Sequence, residues 1–149
     1  MLAFDKTLSH TFSITNNNIA SKDNRLVVGD NLDSLHNLVL QGGVADLICT
    51  DPPYNTRKNA FAYADNRETS QWVSFLWHRL VLARKVLSPQ GVIVVNIDDA
   101  HHPYLKLLMD EVFGSKNFVA NFIWKKSHTV KNDSKGISTQ HEHILCGYY

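Results

Sequence analysis

The chain has 149 residues, of which 44% are hydrophobic and 19% are charged, and its formal net charge is +1. These values are typical of one globular domain, and they exclude a low-complexity chain and a uniformly basic nucleic-acid binder. No window approaches the roughly 18 apolar residues of a membrane-spanning helix. The N-terminus lacks the basic and apolar regions of a secretory signal peptide. We therefore expect no membrane partner and a cytoplasmic location.

The first third of the chain predicts an arm, a strand and a helix. Residues 1–24 are polar without a sustained period, which indicates an irregular N-terminal arm. The apolar run 26–28 predicts a short strand that stops at Gly29-Asp30. A helix is predicted next, closed by Gly42-Gly43, because apolar residues recur at helical spacing: Leu32, Leu35, Leu38 and Val39.

Two buried strands and a helix are predicted in the middle of the chain. Residues 45–50 form a compact apolar run that breaks at two prolines. Ser70 is a good N-cap for a helix that continues to about Leu87. The segment 88–91, Ser-Pro-Gln-Gly, predicts a turn before a second buried strand at 92–97.

The remaining pattern predicts a helix at 104–113 and strands at 118–124 and 143–149. Alternation of apolar strands with helices is typical of an α/β fold with a mostly parallel sheet and helices on both faces. Ligands of such sheets bind beyond the carboxyl ends of the strands. Acidic residues follow three of the predicted strands: Asp30, Asp51 and the pair Asp98-Asp99.

The cysteines and histidines do not predict a metal site. Cys49 and Cys146 lie in apolar strand-like runs, and we expect both to be buried free thiols in a reducing compartment. His101-His102 and His141-x-His143 are the close histidine sets, and the sequence places no third ligand beside them. We therefore expect no metal ion.

The stretch Asp51-Pro52-Pro53-Tyr54 has the chemistry needed to hold an amino group. The Asp51 carboxylate and a backbone carbonyl of the turn, most simply that of Pro52, can each accept one N–H. The two prolines stiffen the loop and donate no hydrogen bonds. Tyr54 offers a flat face on which a base can stack. Methylation of an exocyclic amino group requires this arrangement, because hydrogen bonds to both N–H groups free the nitrogen lone pair.

Several spaced motifs then resemble one family, and they cover roughly residues 25–149. They are LVVGDNLDSLHNL, DLICTDPPYNT, NAFAYADN, W-x-x-F-L, the run RL-x-L-A-R-x-V-L-x-x-x-G-V-I-x-x-x-I-D-D, and HEHILC. Together they are similar to the β-class DNA amino-methyltransferases, especially the modification subunits of type III restriction–modification systems.

The resemblance implies an S-adenosylmethionine-dependent, Rossmann-like fold and assigns roles to residues. Asp51, Pro52, Pro53 and Tyr54 would be catalytic, and Asp30 with Asn31 would contact the cofactor. The substrate-binding residues would be Phe61 and Tyr63, which follow the catalytic loop, and Lys125 and Lys126. Double-stranded DNA would be the partner, and a homodimer and a restriction subunit are left open. Because the family pairs a leading Asp mainly with adenine, the resemblance implies adenine-N6 methylation, with cytosine-N4 as the alternative.

The cofactor motif Phe-x-Gly-x-Gly of that family has no counterpart here, since the sequence contains no G-x-G. We therefore expect 25–149 to be the N-terminal, catalytic-motif part of an incomplete methyltransferase fold whose cofactor part is absent. The isolated chain would then be an inactive part of the enzyme. The alternative is an inactive remnant that binds DNA or pairs with another subunit. The strand that precedes Asp51 would lack a neighbour on one side and leave an unpaired edge.

Overall fold

A computed structural model describes residues 10–14, 24–56, 65–126 and 139–149. The helices are α1 (Asn31–Leu40), α2 (Thr69–Val86) and α3 (His102–Phe113), and the strands are β1 (His10–Ile14), β2 (Asn24–Val28), β3 (Ala45–Thr50), β4 (Leu87–Ile97), β5 (Phe118–Lys125) and β6 (His141–Tyr148). A short 3-10 turn, Ser115–Asn117, joins α3 to β5. None of the helices in these ranges is both long and apolar enough to cross a membrane.

The main sheet has four strands in the order β3-β4-β6-β5. β3 and β4 are the only neighbouring strands in this sheet that pair in parallel, whereas β6 pairs antiparallel with both β4 and β5. The prediction of a mostly parallel sheet is therefore wrong. The reason is that β6 lies between β4 and β5 and runs antiparallel to both of them.

One face of this sheet is buried and the other is open among the described residues. Ile93, Val95 and Leu145 lie on the buried face in one core cluster with residues of α2 and α3. On the opposite face Leu47 and Trp124 are 60% and 61% exposed. The prediction of helices on both faces is thus wrong for the described part of the chain, where α1 packs against α2 instead.

The predicted open edge is confirmed within the described residues. β3 pairs with β4 on one side and ends the sheet on the other, while β2 pairs with β1 in a separate two-stranded sheet. β1 lies in the segment predicted to be irregular. Cys49 is exposed, contrary to prediction, because its side chain points to the open face of this edge strand; Cys146 is buried, and both thiols are free.

Two element boundaries differ from the prediction for local reasons. The N-cap of α2 is Glu68, not Ser70, because Glu68 and Gln71 form a reciprocal capping box. β4 begins at Leu87 and includes the predicted turn 88–91 as an irregular segment, since Ala45 pairs with Leu87 and Leu47 with Val92.

Gly91 is tightly enclosed within this irregular segment. A Cβ at Gly91 would lie 2.9 Å from the Ala45 carbonyl oxygen and 3.0 Å from the Ser88 nitrogen. We expect Gly91→Ala to lower the free energy of unfolding by about 1–3 kcal/mol, because backbone atoms must move apart. Urea denaturation measures this. Gly147→Ala is the matched control, since its Cβ would meet its nearest atom at 3.5 Å; equal losses for both variants would contradict the prediction.

Candidate active site at one edge of the sheet

The strand directions bring several predicted site residues to one edge of the main sheet, where strands begin or end. This edge differs from the open edge, which runs along β3. The carboxyl ends of β3, β4 and β5 and the amino end of β6 lie at this edge, because β3 and β4 are parallel and β6 is antiparallel to its neighbours. Asp51 follows β3, the pair Asp98-Asp99 follows β4, Lys125 ends β5, and Lys126 comes next. Residues far apart in sequence therefore share one surface.

The loop after β3 is fastened to the hydrophobic core. Asp51 is exposed, while Pro52 is buried and Pro53 partly buried. The indole N–H of Trp72, a fully buried residue of α2, donates a hydrogen bond of 2.7 Å to the Pro53 carbonyl. This carbonyl is therefore engaged by the protein. Trp72 was not predicted as a site residue; its position in the apolar stripe of α2 indicated only a core residue.

Tyr54 lies half-buried beside Asp51. Burial and the nearby Asp51 carboxylate raise the pKa of the phenol well above its usual range. Tyr54 is consequently neutral at physiological pH. Two of the catalytic residues predicted from the sequence therefore influence each other electrostatically.

Asp65 holds the chain that leaves the Asp51–Tyr54 loop. Its carboxylate, in a residue only 4% exposed, accepts the backbone N–H of Asn55 at 2.7 Å and the backbone N–H and hydroxyl of Thr56. Sequence reasoning missed Asp65, whose only signal was an acidic residue in a polar segment. Phe61 and Tyr63, the predicted base-contacting aromatics, lie outside the described residues.

Asn55 links this loop to the turn after β4. Its backbone is left-handed, with φ of 57°, a conformation that asparagine tolerates better than most residues. The side-chain amide donates to the Arg67 carbonyl at 2.8 Å and lies 3.3 Å from Nε2 of His101. His101 in turn donates its backbone N–H to the Asp98 carboxylate. Asp98 therefore has a structural contact.

The predicted cofactor residues Asp30 and Asn31 are held by Arg79 of α2. Asp30 caps α1 by accepting the Leu32 N–H, and both its carboxylate oxygens lie within 3.1 Å of Arg79 Nη2. Asn31 accepts a hydrogen bond from Arg79 Nε at 2.8 Å. Burial raises the pKa of Asp30, but the Leu32 hydrogen bond and the Arg79 charge outweigh it and lower the pKa overall. Sequence reasoning missed Arg79.

A cavity of about 240 Å³ lies between α1, α2 and the carboxyl end of β3. Its polar lining comes from Asn31, Asp51 and Arg79, and the rest is largely apolar. Sites for drug-sized ligands measure roughly 300–1,000 Å³. The cavity is therefore somewhat smaller than the usual site for such a ligand.

The two predicted phosphate-contacting lysines differ in their surroundings. Lys125 is exposed at the end of β5. The Lys126 ammonium forms an ion pair with Glu142 at 2.7 Å, and its backbone N–H donates to the Gln140 carbonyl. Lys126 therefore also holds β5 to β6, which reduces its freedom to follow a DNA backbone.

Asp99 lies beside two histidines, contrary to the expectation that no third ligand is near them. Its Oδ1 atom is 3.1 Å from Nε2 of His143 and 3.7 Å from Nε2 of His141. The ring of His102 stacks on that of His143 at 4.0 Å. Burial and the nearby His143 lower the pKa of His102, against the opposite effect of Asp99, so that its ring is neutral at neutral pH.

Residues 45–148, which include β3 to β6 and the edge described above, match the DNA methylase family model N6_N4_Mtase. The chain belongs to this family. Mod subunits of type III restriction–modification enzymes are among its curated relatives, as the resemblance predicted. The StyLTI Mod subunit of Salmonella typhimurium LT2 is 38% identical over 82% of this chain and 23% of its own length. The chain spans 15% to 38% of the length of the curated relatives it matches.

Solved methyltransferases share the fold. A putative DNA modification methylase from Thermus thermophilus, in complex with S-adenosyl-L-methionine, aligns with a TM-score of 0.56 and 17% identity over 76% of this chain and 52% of that one. The PvuII cytosine-N4-specific DNA methyltransferase aligns at 0.55 and 18% over 79% of this chain and 46% of that one. The α/β methyltransferase-like fold predicted from the sequence is confirmed at this level.

The Asp65 contacts predict a large effect on stability. We expect Asp65→Ala to lower the free energy of unfolding by about 2–3 kcal/mol, because two backbone N–H groups lose a charged acceptor. Asp65→Asn should lose less, since its amide oxygen still accepts. Urea denaturation of the chain measures both. The control is Asp110→Ala, which removes only a helical pair with Lys106 worth about 0.3–0.5 kcal/mol; a loss as small for Asp65→Ala would refute this role.

The lowered pKa of Asp30 predicts an acid-sensitive link between α1 and α2. The carboxylate stabilises the fold above its unfolded-state pKa of 3.8, and this contribution is lost as the pH falls through the lower folded pKa. In a double-mutant cycle of Asp30→Asn and Arg79→Met we expect a coupling of about 0.2–1 kcal/mol at pH 7, because the pair is partly exposed. The coupling should weaken as the pH falls below 3.8 and be lost only below the lower folded pKa of Asp30. A coupling unchanged by pH would contradict an ionic link.

Proposed function

We propose that this chain supplies the target-base side of an S-adenosylmethionine-dependent DNA methyltransferase that acts on adenine N6 within a restriction–modification system. The observation that carries the proposal is the exposed Asp51 carboxylate, which lies beside Tyr54 on a loop braced by Trp72. Membership of the DNA methylase family supports the reaction class.

The amino nitrogen of adenine is a poor nucleophile because its lone pair is delocalised into the ring. Asp51 would accept one N–H, and the backbone carbonyl of Pro52 the other, which moves the nitrogen towards tetrahedral geometry. The Pro53 carbonyl is already bonded to Trp72 at 2.7 Å, and this favours Pro52 for the second contact. The proton that the nitrogen loses would leave along its hydrogen bond to Asp51. Positioning of the amino group therefore accounts for most of the catalysis.

Tyr54 would hold the base by stacking. Its half-buried ring lies in the same braced loop as Asp51. Stacking on an aromatic side chain stabilises a bound base by about 1–3 kcal/mol. This offsets part of the few kcal/mol that it costs to flip a base out of duplex DNA. Phe61 and Tyr63 remain proposed as further contacts to the base.

S-adenosylmethionine would supply an electrophilic methyl group. The cavity lined by Asn31, Asp51 and Arg79 fits part of such a molecule. Asp30 would keep Arg79 in place rather than contact the cofactor freely, because both carboxylate oxygens are engaged. The fold shared with a methylase in complex with this cofactor supports the proposal.

DNA and protein partners follow from the same reasoning. Lys125 lies exposed at the edge of the sheet that carries Asp51, where it would contact phosphates and fix the position of the duplex. Lys126 would do so only after its ion pair with Glu142 opens. The Mod subunits among the relatives belong to restriction–modification enzymes, which supports a restriction subunit as a partner. A second copy of the chain stays a prediction from the sequence.

Cytosine-N4 methylation is the second candidate. The matched family model names both N6 and N4 methylation, and one structural relative is cytosine-N4-specific. Both reactions need two acceptors around an exocyclic amino group, which Asp51 and the adjacent loop provide equally. The family that the sequence resembles pairs a leading Asp mainly with adenine, and this decides our choice of adenine N6.

The test is a methylation assay on unmethylated DNA. The protein is expressed from its native gene locus and purified together with the polypeptides that associate with it. Mass spectrometry of the nucleosides should detect N6-methyladenine. We expect Asp51→Ala to lower kcat by about 100-fold or more, as removal of a positioned transition-state contact does. Tyr54→Ala should reduce kcat/KM by about 5- to 150-fold through lost stacking, and Tyr54→Phe much less.

The matched control is Asp46→Asn, a carboxylate at the opposite end of β3 that contacts only Ser88 among the described side-chain hydrogen bonds. It should leave methylation unchanged. N4-methylcytosine without N6-methyladenine would establish the second candidate. Full activity of Asp51→Ala would overturn the catalytic assignment for both.

A further inference from the structure

A cluster of metal-ligating side chains lies at the same edge of the sheet and has no part in the proposed methylation. His141 and His143 begin β6 and share a face because side chains alternate along a strand. Asp99 comes from the turn after β4. One ligand atom from each of the three side chains lies within 4.8 Å of the others.

Two of the three ligand-to-ligand distances are close to those of a tetrahedral site. Asp99 Oδ1 is 3.1 Å from His143 Nε2 and 3.7 Å from His141 Nε2. Bond lengths of about 2.0–2.2 Å to zinc place neighbouring tetrahedral ligands about 3.3–3.5 Å apart. Asp99 lies in a turn and is 57% exposed, so its side chain has room to adjust.

The surroundings of His143 suit a metal-binding imidazole. The ring is buried, with 8% of the side chain exposed, and His102 stacks on it at 4.0 Å. Both polar atoms of the Asn121 amide lie near His143 Nδ1, Nδ2 at 3.0 Å and Oδ1 at 3.2 Å. Asn121 Oδ1 can therefore accept a hydrogen bond from Nδ1–H of His143, and in this tautomer Nε2 is unprotonated and available to a metal. A hydrogen bond to the second ring nitrogen is the usual support for a metal-binding histidine.

We propose that Asp99, His141 and His143 bind one divalent ion of the Zn²⁺ type, with the fourth coordination position open to water. Two imidazoles and one carboxylate form a ligand set that zinc uses in proteins. Cys49 and Cys146, both in the described part of the chain, are not members of the cluster. The ion would pin the turn after β4 to the first residues of β6.

The test is calorimetric titration of the untagged chain with Zn²⁺, together with the visible spectrum of the Co²⁺ form. We expect one ion per chain and Co²⁺ bands of a four-coordinate N/O site. Asp99→Asn and His141→Asn should each weaken Zn²⁺ binding by about tenfold or more. Asn121→Ala, which removes only the support of His143, should weaken it by about 10- to 100-fold. Circular dichroism checks that each variant is folded.

His36→Asn is the matched control, because His36 is an exposed histidine of α1 outside the cluster. It should leave both the affinity and the stoichiometry unchanged. Absence of Zn²⁺ binding would show that the cluster is held only by hydrogen bonds and would overturn the proposal. Binding that survives Asp99→Asn and His141→Asn, or that falls equally in His36→Asn, would mean surface-histidine binding and would overturn it as well. None of these outcomes depends on methyltransferase activity.

Discussion

The indole of Trp72 joins the hydrophobic core of this protein to its candidate catalytic loop. Its ring is fully buried between α2 and the sheet, and its N–H donates to the Pro53 carbonyl. Burial of an aromatic ring contributes several kcal/mol only where its polar atom finds a partner. The loop that carries Asp51 and Tyr54 provides that partner, so the packing of α2 and the position of the catalytic residues depend on each other.

The mixed strand order gives the site its composition. A β6 strand that runs antiparallel beside β4 brings its first residues to the edge where β3 and β4 end. His141, Glu142 and His143 consequently lie at this edge. In a purely parallel sheet only the carboxyl ends of strands would lie there. The same strand order places Asp99, His141 and His143 at the edge of the sheet where Asp51 also lies. Asp51 is not a member of this cluster.

Several single residues each hold two elements at this edge. Asp65 joins the two chain segments on either side of residues 57–64, and Asn55 connects the first of them to His101. Arg79 connects α2 to the start of α1. Because these contacts use charged or buried polar groups, they fix direction as well as distance. The site is therefore organised by side chains that take no part in the proposed chemistry.

Sequence alone determined the family, the α/β character, and most helix and strand positions, including α1 and the closure of α3 at Gly114. It also predicted Asp51 to Tyr54 as the candidate catalytic loop, because the stiffness of two prolines and the acceptor chemistry of Asp51 are local properties. These features need only neighbouring residues, and a pattern can record them.

Tertiary structure decided what depends on distant residues. The antiparallel pairing of β6 with β4 and the contacts of Trp72, Asp65 and Arg79 join segments separated by nine or more positions, and the open face that exposes Cys49 is equally a tertiary feature. No periodicity reports such pairings, because hydrophobic pattern specifies which side of an element is buried but not which element covers it. The Asp99 cluster shows this most clearly, since its third ligand lies 42 residues from His141, as the positions 99 and 141 give.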